Sequence, residues 1–83
     1  MRKPGDRIGA IQSARDNVVK FFGYGTYLGD EVPADYPLPN PKLQMDNGAI
    51  VWGFQCWWGD ESAVKSQIEK YEKAGWAIEE AQG

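Results

Sequence analysis

Apolar and polar positions alternate with a period of two along most of this chain, and one stretch near its end changes to a helical period. Arg7 to Gln12 reads as a short first strand. Ser13 to Asn17 is polar and turn-like, with Asp16-Asn17 suited to a tight connection. Val18 to Leu28 reads as a long strand rich in branched and aromatic residues. Strict alternation puts Val18, Lys20, Phe22, Tyr24, Thr26 and Leu28 on one face of it. Val19, Phe21, Gly23, Gly25, Tyr27 and Gly29 fall on the other. Three glycines on one face leave the backbone bare there, which marks a bend or the close approach of a ligand; a bend is expected.

Val32 to Pro41 holds prolines at 33, 37, 39 and 41. Proline removes the amide donor, so this segment is expected to be an extended surface loop around Tyr36 rather than a central strand. After it, Asn47-Gly48 sits between two apolar runs, the favoured pair for a type I′ hairpin turn. With these two at the tip, Asp46 faces Ala49, Met45 faces Ile50, Gln44 faces Val51 and Leu43 faces Trp52. The second strand of the hairpin is expected to continue to about Trp58. Ile50, Trp52, Phe54, Cys56 and Trp58 would then share the core face with Leu43 and Met45, and Val51, Gly53, Gln55 and Trp57 would face away.

Gly59-Asp60 ends that strand, with Asp60 as the N-cap of a helix over 61–74. Val64, Ile68 and Tyr71 form its apolar stripe, and Glu61–Lys65 and Glu69–Lys73 are i, i+4 pairs on its surface. Gly75 is placed as the C′ residue, with Trp76 packing back on Tyr71. Trp76 to Glu80 is a short last strand with Trp76 and Ile78 inward. The fold class is α+β: a small antiparallel sheet or partly closed barrel, β-β-loop-β-β-α-β, with one helix packed on it.

Eighty-three residues make one domain, 1–83, with 1–6 as a flexible start and 32–41 as the proline-rich loop. So small a domain has little stability in reserve, and its lone cysteine forms no internal disulfide, so a homo-oligomer is a live possibility. Net charge is −3, unevenly placed: residues 1–20 carry a balance of +3 and residues 21–83 one of −6. That balance is wrong for a protein living on phosphate backbones. No run reaches the ~18 apolar residues of a membrane span, no apolar run follows the charged start as in a signal peptide, and one cysteine suits a reducing compartment. A cytoplasmic location is expected.

Catalysis finds little support in the residue types. With no histidine, the usual activation of serine or cysteine is missing, and Cys56 falls on the expected core face. Ser62 and Ser66 flank Lys65, but adjacent helix positions point apart. Zinc ligands and calcium-loop spacing are missing, as are Rossmann glycines and a Walker lysine, so no metal and no cofactor is expected. The repeated Gly-Asp-Glu at 29–31 and 59–61 reads as strand-end turn chemistry; were the two ends neighbours, Asp30, Glu31, Asp60 and Glu61 would form an acidic rim. The aromatics are the functional lead. Trp57 looks away from the core beside Gly53 and Gln55, and Tyr27 shares the glycine face of its strand. An aromatic over bare sheet is a stacking platform or an anchor for a protein partner.

Gly9-Ala10-Ile11, the stretch Phe22 to Gly29, the stretch Asp46 to Gly53 and Gln55-Cys56-Trp57-Trp58-Gly59 together resemble small accessory proteins encoded by bacteriophages, of the anti-defence type. The resemblance implies a non-enzymatic module acting by stoichiometric capture of a host protein or of a small, nucleotide-like signalling ligand, in the host cytoplasm. The expected binding residues are Tyr24, Tyr27, Tyr36, Trp57, Arg7, Arg15 and Lys20, with aromatics stacking and cations meeting phosphate if the ligand is a nucleotide. A single-stranded nucleic-acid-binding small barrel is the alternative, and a small enzyme working through Asp30 or Asp60 the second alternative.

Overall fold

A computed structural model describes residues 2–82. In chain order the elements are β1 (Arg7–Arg15), β2 (Val18–Glu31), β3 (Asn40–Met45), β4 (Ile50–Trp52), a 3₁₀ turn (Gly53–Gln55), β5 (Trp57–Asp60), α1 (Glu61–Lys73) and β6 (Ala77–Glu80). The strands form one open six-stranded sheet in the order β4-β3-β2-β1-β5. All pairings are antiparallel except that of β6, which runs parallel to the start of β2. The class is α+β, with one helix on the sheet; the sheet does not close into a barrel.

The first hairpin is tighter than the sequence suggested. Asp16 (φ 55) and Asn17 (φ 63) both have left-handed backbone, and Arg15 pairs with Val18, so the connection is a two-residue turn of the I′ kind. β1 therefore runs on to Arg15 instead of stopping at Gln12. β2 departs from strict alternation at two irregularities: Ala10 pairs with Gly23 while Ile11 pairs with Phe21, and a second shift lies between Tyr27 and Gly29. Gly23 (φ 100) and Gly29 (φ 107) supply the positive φ these bulges need. Each extra residue reverses the facing of those beyond it. Phe21 and Tyr24, expected on opposite faces, consequently pack edge-to-face on the helix side, 5.2 Å between centroids. Phe22 and Tyr27 pack on the other side.

The second hairpin corrects the expected register. Gln44 faces Ile50, Leu43 faces Val51 and Lys42 faces Trp52, one residue away from the expectation. The Met45 amide donates to the Ala49 carbonyl at 2.8 Å and the Gly48 amide to the Met45 carbonyl at 2.9 Å, closing a three-residue loop, Asp46-Asn47-Gly48. Of the three, only Gly48 (φ 91) is left-handed. A three-residue loop moves the return strand by one position, so Val51 is buried (3% exposed) and Ile50 is turned outward (42%). Nor does the return strand continue to Trp58. It breaks after Trp52 into the 3₁₀ turn, where the Phe54 amide donates to Asn40 Oδ1 (2.8 Å) and the Trp52 amide to Gln55 Oε1 (3.0 Å). Phe54 is thereby exposed (46%) instead of core, Trp52 is only half-buried, and β5 crosses to pair with β1.

Two cores result, one on each face. Ile8, Ala10, Leu43, Met45 and Val51 pack with Phe22, Tyr27, Cys56 and Trp58 on the open face. Ile11, Val19, Val64 and Ile68 pack with Phe21, Tyr24, Tyr71, Trp76 and Ile78 under the helix. Gly9 lies directly beneath α1: a Cβ there would stand 2.7 Å from a Val64 methyl. The helix ends as expected. Gly75 (φ 86) is C′, the Trp76 amide donates to the Tyr71 carbonyl and the Gly75 amide to the Glu72 carbonyl, both at 3.0 Å, and the Tyr71 and Trp76 rings lie 4.9 Å apart. The Asp60 side chain makes no capping bond; it meets Arg2 at 3.2 Å. Residues 2–6, read from the sequence as a flexible start, continue alongside Tyr27, exchanging backbone hydrogen bonds with it through Gly5 and Asp6.

Candidate binding surface

The seven residues singled out in the sequence do not converge. Tyr24 is half-buried on the helix side, where burial and then Glu61, Glu69 and Glu72 raise its phenol pKa. Tyr27 lies on the opposite side, stacked on Trp58 at 5.6 Å, its hydroxyl donating to Asp30 Oδ1 at 2.7 Å. Tyr36, in the proline-rich loop, stacks on Phe54 at 4.6 Å. The bare glycine face is also filled from within. A Cβ on Gly25 would stand 2.3 Å from the Gln44 carbonyl oxygen, so the close approach there is made by β3 itself.

The cations are mostly engaged. Arg7 forms a bidentate pair with Asp46, 2.7 Å on both arms, and reaches Glu61 at 3.1 Å. The Asp46 contact raises the Arg7 pKa and Asp46 is held below its ordinary value in return, an arrangement that ties the second hairpin to the first turn of α1. Lys20 pairs with Glu79 across the β2–β6 ladder. Arg2 pairs with Asp60 and lies over the Trp58 ring at 4.6 Å. Arg15 is exposed at the hairpin tip and takes part in no ion pair among the described residues.

Trp57 is different from the other aromatics. It is 55% exposed and stands opposite Ile11 on the helix side, where β5 begins. Beside it opens a groove of about 360 Å³ lined by Ile11, Ser13, Ala14, Trp57, Gln67 and Tyr71. Its floor is mostly apolar and carries no charged side chain. Its origin is topological. β5 pairs with β1 only from Ile8 to Ile11, whereas β1 runs on to Arg15. The segment that would have lined the rest of β1 turns away into the 3₁₀ turn. Tyr71 and Gln67, which the sequence reading left among helix positions, form the far wall. The signal that leads to them is Asp16-Asn17: placing the I′ turn there lengthens β1 beyond its partner.

Other concavities are less suited to a ligand. One of about 350 Å³ holds Arg15 and Lys20 but also Asp16 and Glu79, and no aromatic lines it. One of about 440 Å³ sets Tyr24 beside Glu61, Ser62 and Lys65. The four carboxylates of the two Gly-Asp-Glu stretches are met by different partners, Asp30 by the Tyr27 hydroxyl, Glu31 by Lys42, Asp60 by Arg2 and Glu61 by Arg7, and among the described residues no three Cys, Asp or Glu side chains are placed to hold a metal ion. Cys56 is half-buried, its thiol pushed up to about 11 by desolvation. No described helix is long and apolar enough to cross a membrane. No family model, curated protein or solved structure matches this chain.

Proposed function

We propose that this protein is a non-enzymatic binding module that captures a polypeptide partner in the cytoplasm, using the surface around Trp57. The exposed Trp57 beside an uncharged apolar groove is the observation that carries this reading. Large amphipathic aromatics at the mouth of such a groove are the usual anchors of protein interfaces. A nucleotide-like ligand calls for an aromatic and a free cation in one concavity. Arg7 is occupied by two carboxylates, the cavity that contains Arg15 and Lys20 lacks an aromatic, and the one that sets Tyr24 beside Lys65 also presents the Glu61 carboxylate, which repels a phosphate; together these favour the polypeptide over the nucleotide. A catalytic role for Asp30 or Asp60 is disfavoured by their commitments to the Tyr27 hydroxyl and to Arg2.

Native mass spectrometry of the protein purified from its own host cells tests the reading. The expected result is a polypeptide complex of fixed stoichiometry that Trp57→Ser abolishes. A retained nucleotide mass, or a polypeptide complex indifferent to Trp57→Ser, overturns it.

A further inference from the structure

Pro4-Gly5 decides where Arg2 goes. Proline fixes φ for the second position of a type II turn, and the third position needs the positive φ that Gly5 has (101°). The Asp6 amide donates to the Lys3 carbonyl at 3.0 Å and closes the turn, and the Lys3 amide donates to Asp6 Oδ2 at 2.9 Å. The turn is fastened to β2: the Gly5 amide donates to the Tyr27 carbonyl at 2.7 Å and the Tyr27 amide to the Asp6 carbonyl at 3.0 Å. The chain is thereby folded back, and Arg2 is delivered to Trp58 and Asp60. These two are alternate residues of β5, opposite Ala10 and Ile8, and so share the open face. The Arg2 guanidinium carbon stands 4.6 Å from the Trp58 ring centroid, and its Nε stands 3.2 Å from Asp60 Oδ1.

An indole face beside a carboxylate is the arrangement that recognises a guanidinium: the ring takes its planar face and the carboxylate its edge. Trp58 is backed in turn by Tyr27, stacked at 5.6 Å, whose hydroxyl is held by Asp30 Oδ1 at 2.7 Å. Asp30 pairs with no cation among the described residues, so the surface carries more negative than positive charge. Of the adjacent cations Arg2 and Lys3, only the arginine is seated; Lys3 takes part in no ion pair among the described residues. The seat is held loosely. Arg7 grips Asp46 with both arms at 2.7 Å, whereas Arg2 touches Asp60 through Nε at 3.2 Å. Both side chains are exposed, where an ion pair and a cation–π contact each hold weakly. An arginine from another chain can therefore take the place of Arg2, and the balance of −6 over residues 21–83 favours the approach of a basic segment.

We infer that Trp58 and Asp60 form a recognition site for an arginine of a partner polypeptide, and that Arg2 occupies it in cis as a competing latch. The site lies on the opposite face of β5 from Trp57 and does not rest on the reading of that groove. NMR titration of the isotope-labelled full chain with the end-blocked peptide Gly-Arg-Gly-Arg-Gly tests it, read at the indole N–H signals of Trp58 and Trp57. Saturable shifts are expected at Trp58. Arg2→Gln empties the seat and is expected to tighten binding about tenfold, because the apparent Kd is the intrinsic one divided by the fraction of molecules whose site is open. Removal of a contact that served the fold alone would give no such gain. Lys3→Gln removes the same charge from the neighbouring residue and is expected to leave the affinity near that of the unaltered chain. Asp60→Asn added to Arg2→Gln is expected to cancel the gain; Asp60 makes no capping bond, so the exchange leaves α1 in place. The lysine counterpart, Gly-Lys-Gly-Lys-Gly, is expected to bind more weakly and to gain less, since an ammonium has no planar face to stack. No tightening in Arg2→Gln, equal tightening in Lys3→Gln, or a gain that survives Asp60→Asn overturns the site. An equal gain for the lysine peptide overturns arginine recognition in favour of general charge attraction. Shifts confined to Trp57 overturn the inference and leave polypeptide capture at the groove standing.

Discussion

Leu43 stands directly opposite Val51 across the second hairpin, and both side chains are buried in the open-face core. That pairing requires three residues in the loop, and it decides the facing of the whole return strand. Val51→Asp is therefore expected to abolish folding at room temperature, because it buries a charge without a partner in a domain with little stability in reserve. Ile50→Asp, one position away and outward, is expected to change stability by no more than about 0.5 kcal/mol. Urea titrations of the two variants followed by tryptophan fluorescence distinguish this register from the two-residue alternative, in which the outcomes would be exchanged.

Gly25 lies beneath the β3 backbone, with the Gln44 carbonyl oxygen 2.3 Å from where a Cβ would stand. Backbone gives way less easily than a side chain. Gly25→Ala is expected to be more damaging than Gly9→Ala, whose Cβ would meet a Val64 methyl at 2.7 Å. Overpacking of the latter kind costs about 1–3 kcal/mol, and Gly25→Ala is expected to exceed it. Thermal denaturation of the two single variants checks the order.

The Arg7–Asp46 pair makes stability fall at low pH. Arg7 holds the Asp46 carboxyl below its ordinary value of 3.8, chiefly by hydrogen bonding. A carboxyl depressed in the folded state contributes stability that is fully present above its unfolded pKa and is lost as pH falls through the folded one. Asp46→Asn is thus expected to flatten the acid limb of the stability profile below about pH 4. Both partners are exposed, so the effect is expected to shrink in high salt. Urea midpoints measured from pH 2 to pH 7 at two ionic strengths read both.

Cys56 is expected to be unreactive while the fold persists. Its thiol, at about 11, carries little thiolate near neutrality, and its sulfur is directed to the Trp52 carbonyl at 3.7 Å. Reaction with an aromatic disulfide reagent at pH 8 is expected to be on the order of a hundredfold slower than that of a free cysteine, and to accelerate in denaturant. A fast stoichiometric reaction of the folded protein would show that the 3₁₀ turn opens readily.

Local signals were legible where one residue type decides one geometry. Gly75 with Trp76 and Tyr71 marks the helix end and the apolar stripe marks the helix, whereas the outward position of Trp57, expected from unbroken alternation after Asn47-Gly48, is reached only because the 3₁₀ turn offsets the one-residue change of register. Facing along β2 and β4 was not legible, because it depends on counting: one extra residue at Phe22-Gly23 or one more in the Asp46-Gly48 loop inverts everything beyond it. Asn47-Gly48 is compatible with two loop lengths, and what selects the longer is the burial of Val51 against Leu43, a long-range outcome. The same holds for the binding surface. Trp57 faces outward across a break in the alternation, and the groove beside it exists only because β5 pairs with β1 over fewer residues than β1 spans, a comparison that requires knowing they are neighbours.

β2 is flanked by β1 along one side and shares its other side between β6 at the start and β3 at the finish. The last four-residue strand thus shields Val18–Phe21 from solvent, and it arrives there from some sixty positions later in the chain. Proteolytic trimming behind Gly75 would not merely shorten the molecule. It would uncover a branched and aromatic ribbon of backbone in the middle of the sheet, turning an interior seam into a template on which other chains could align.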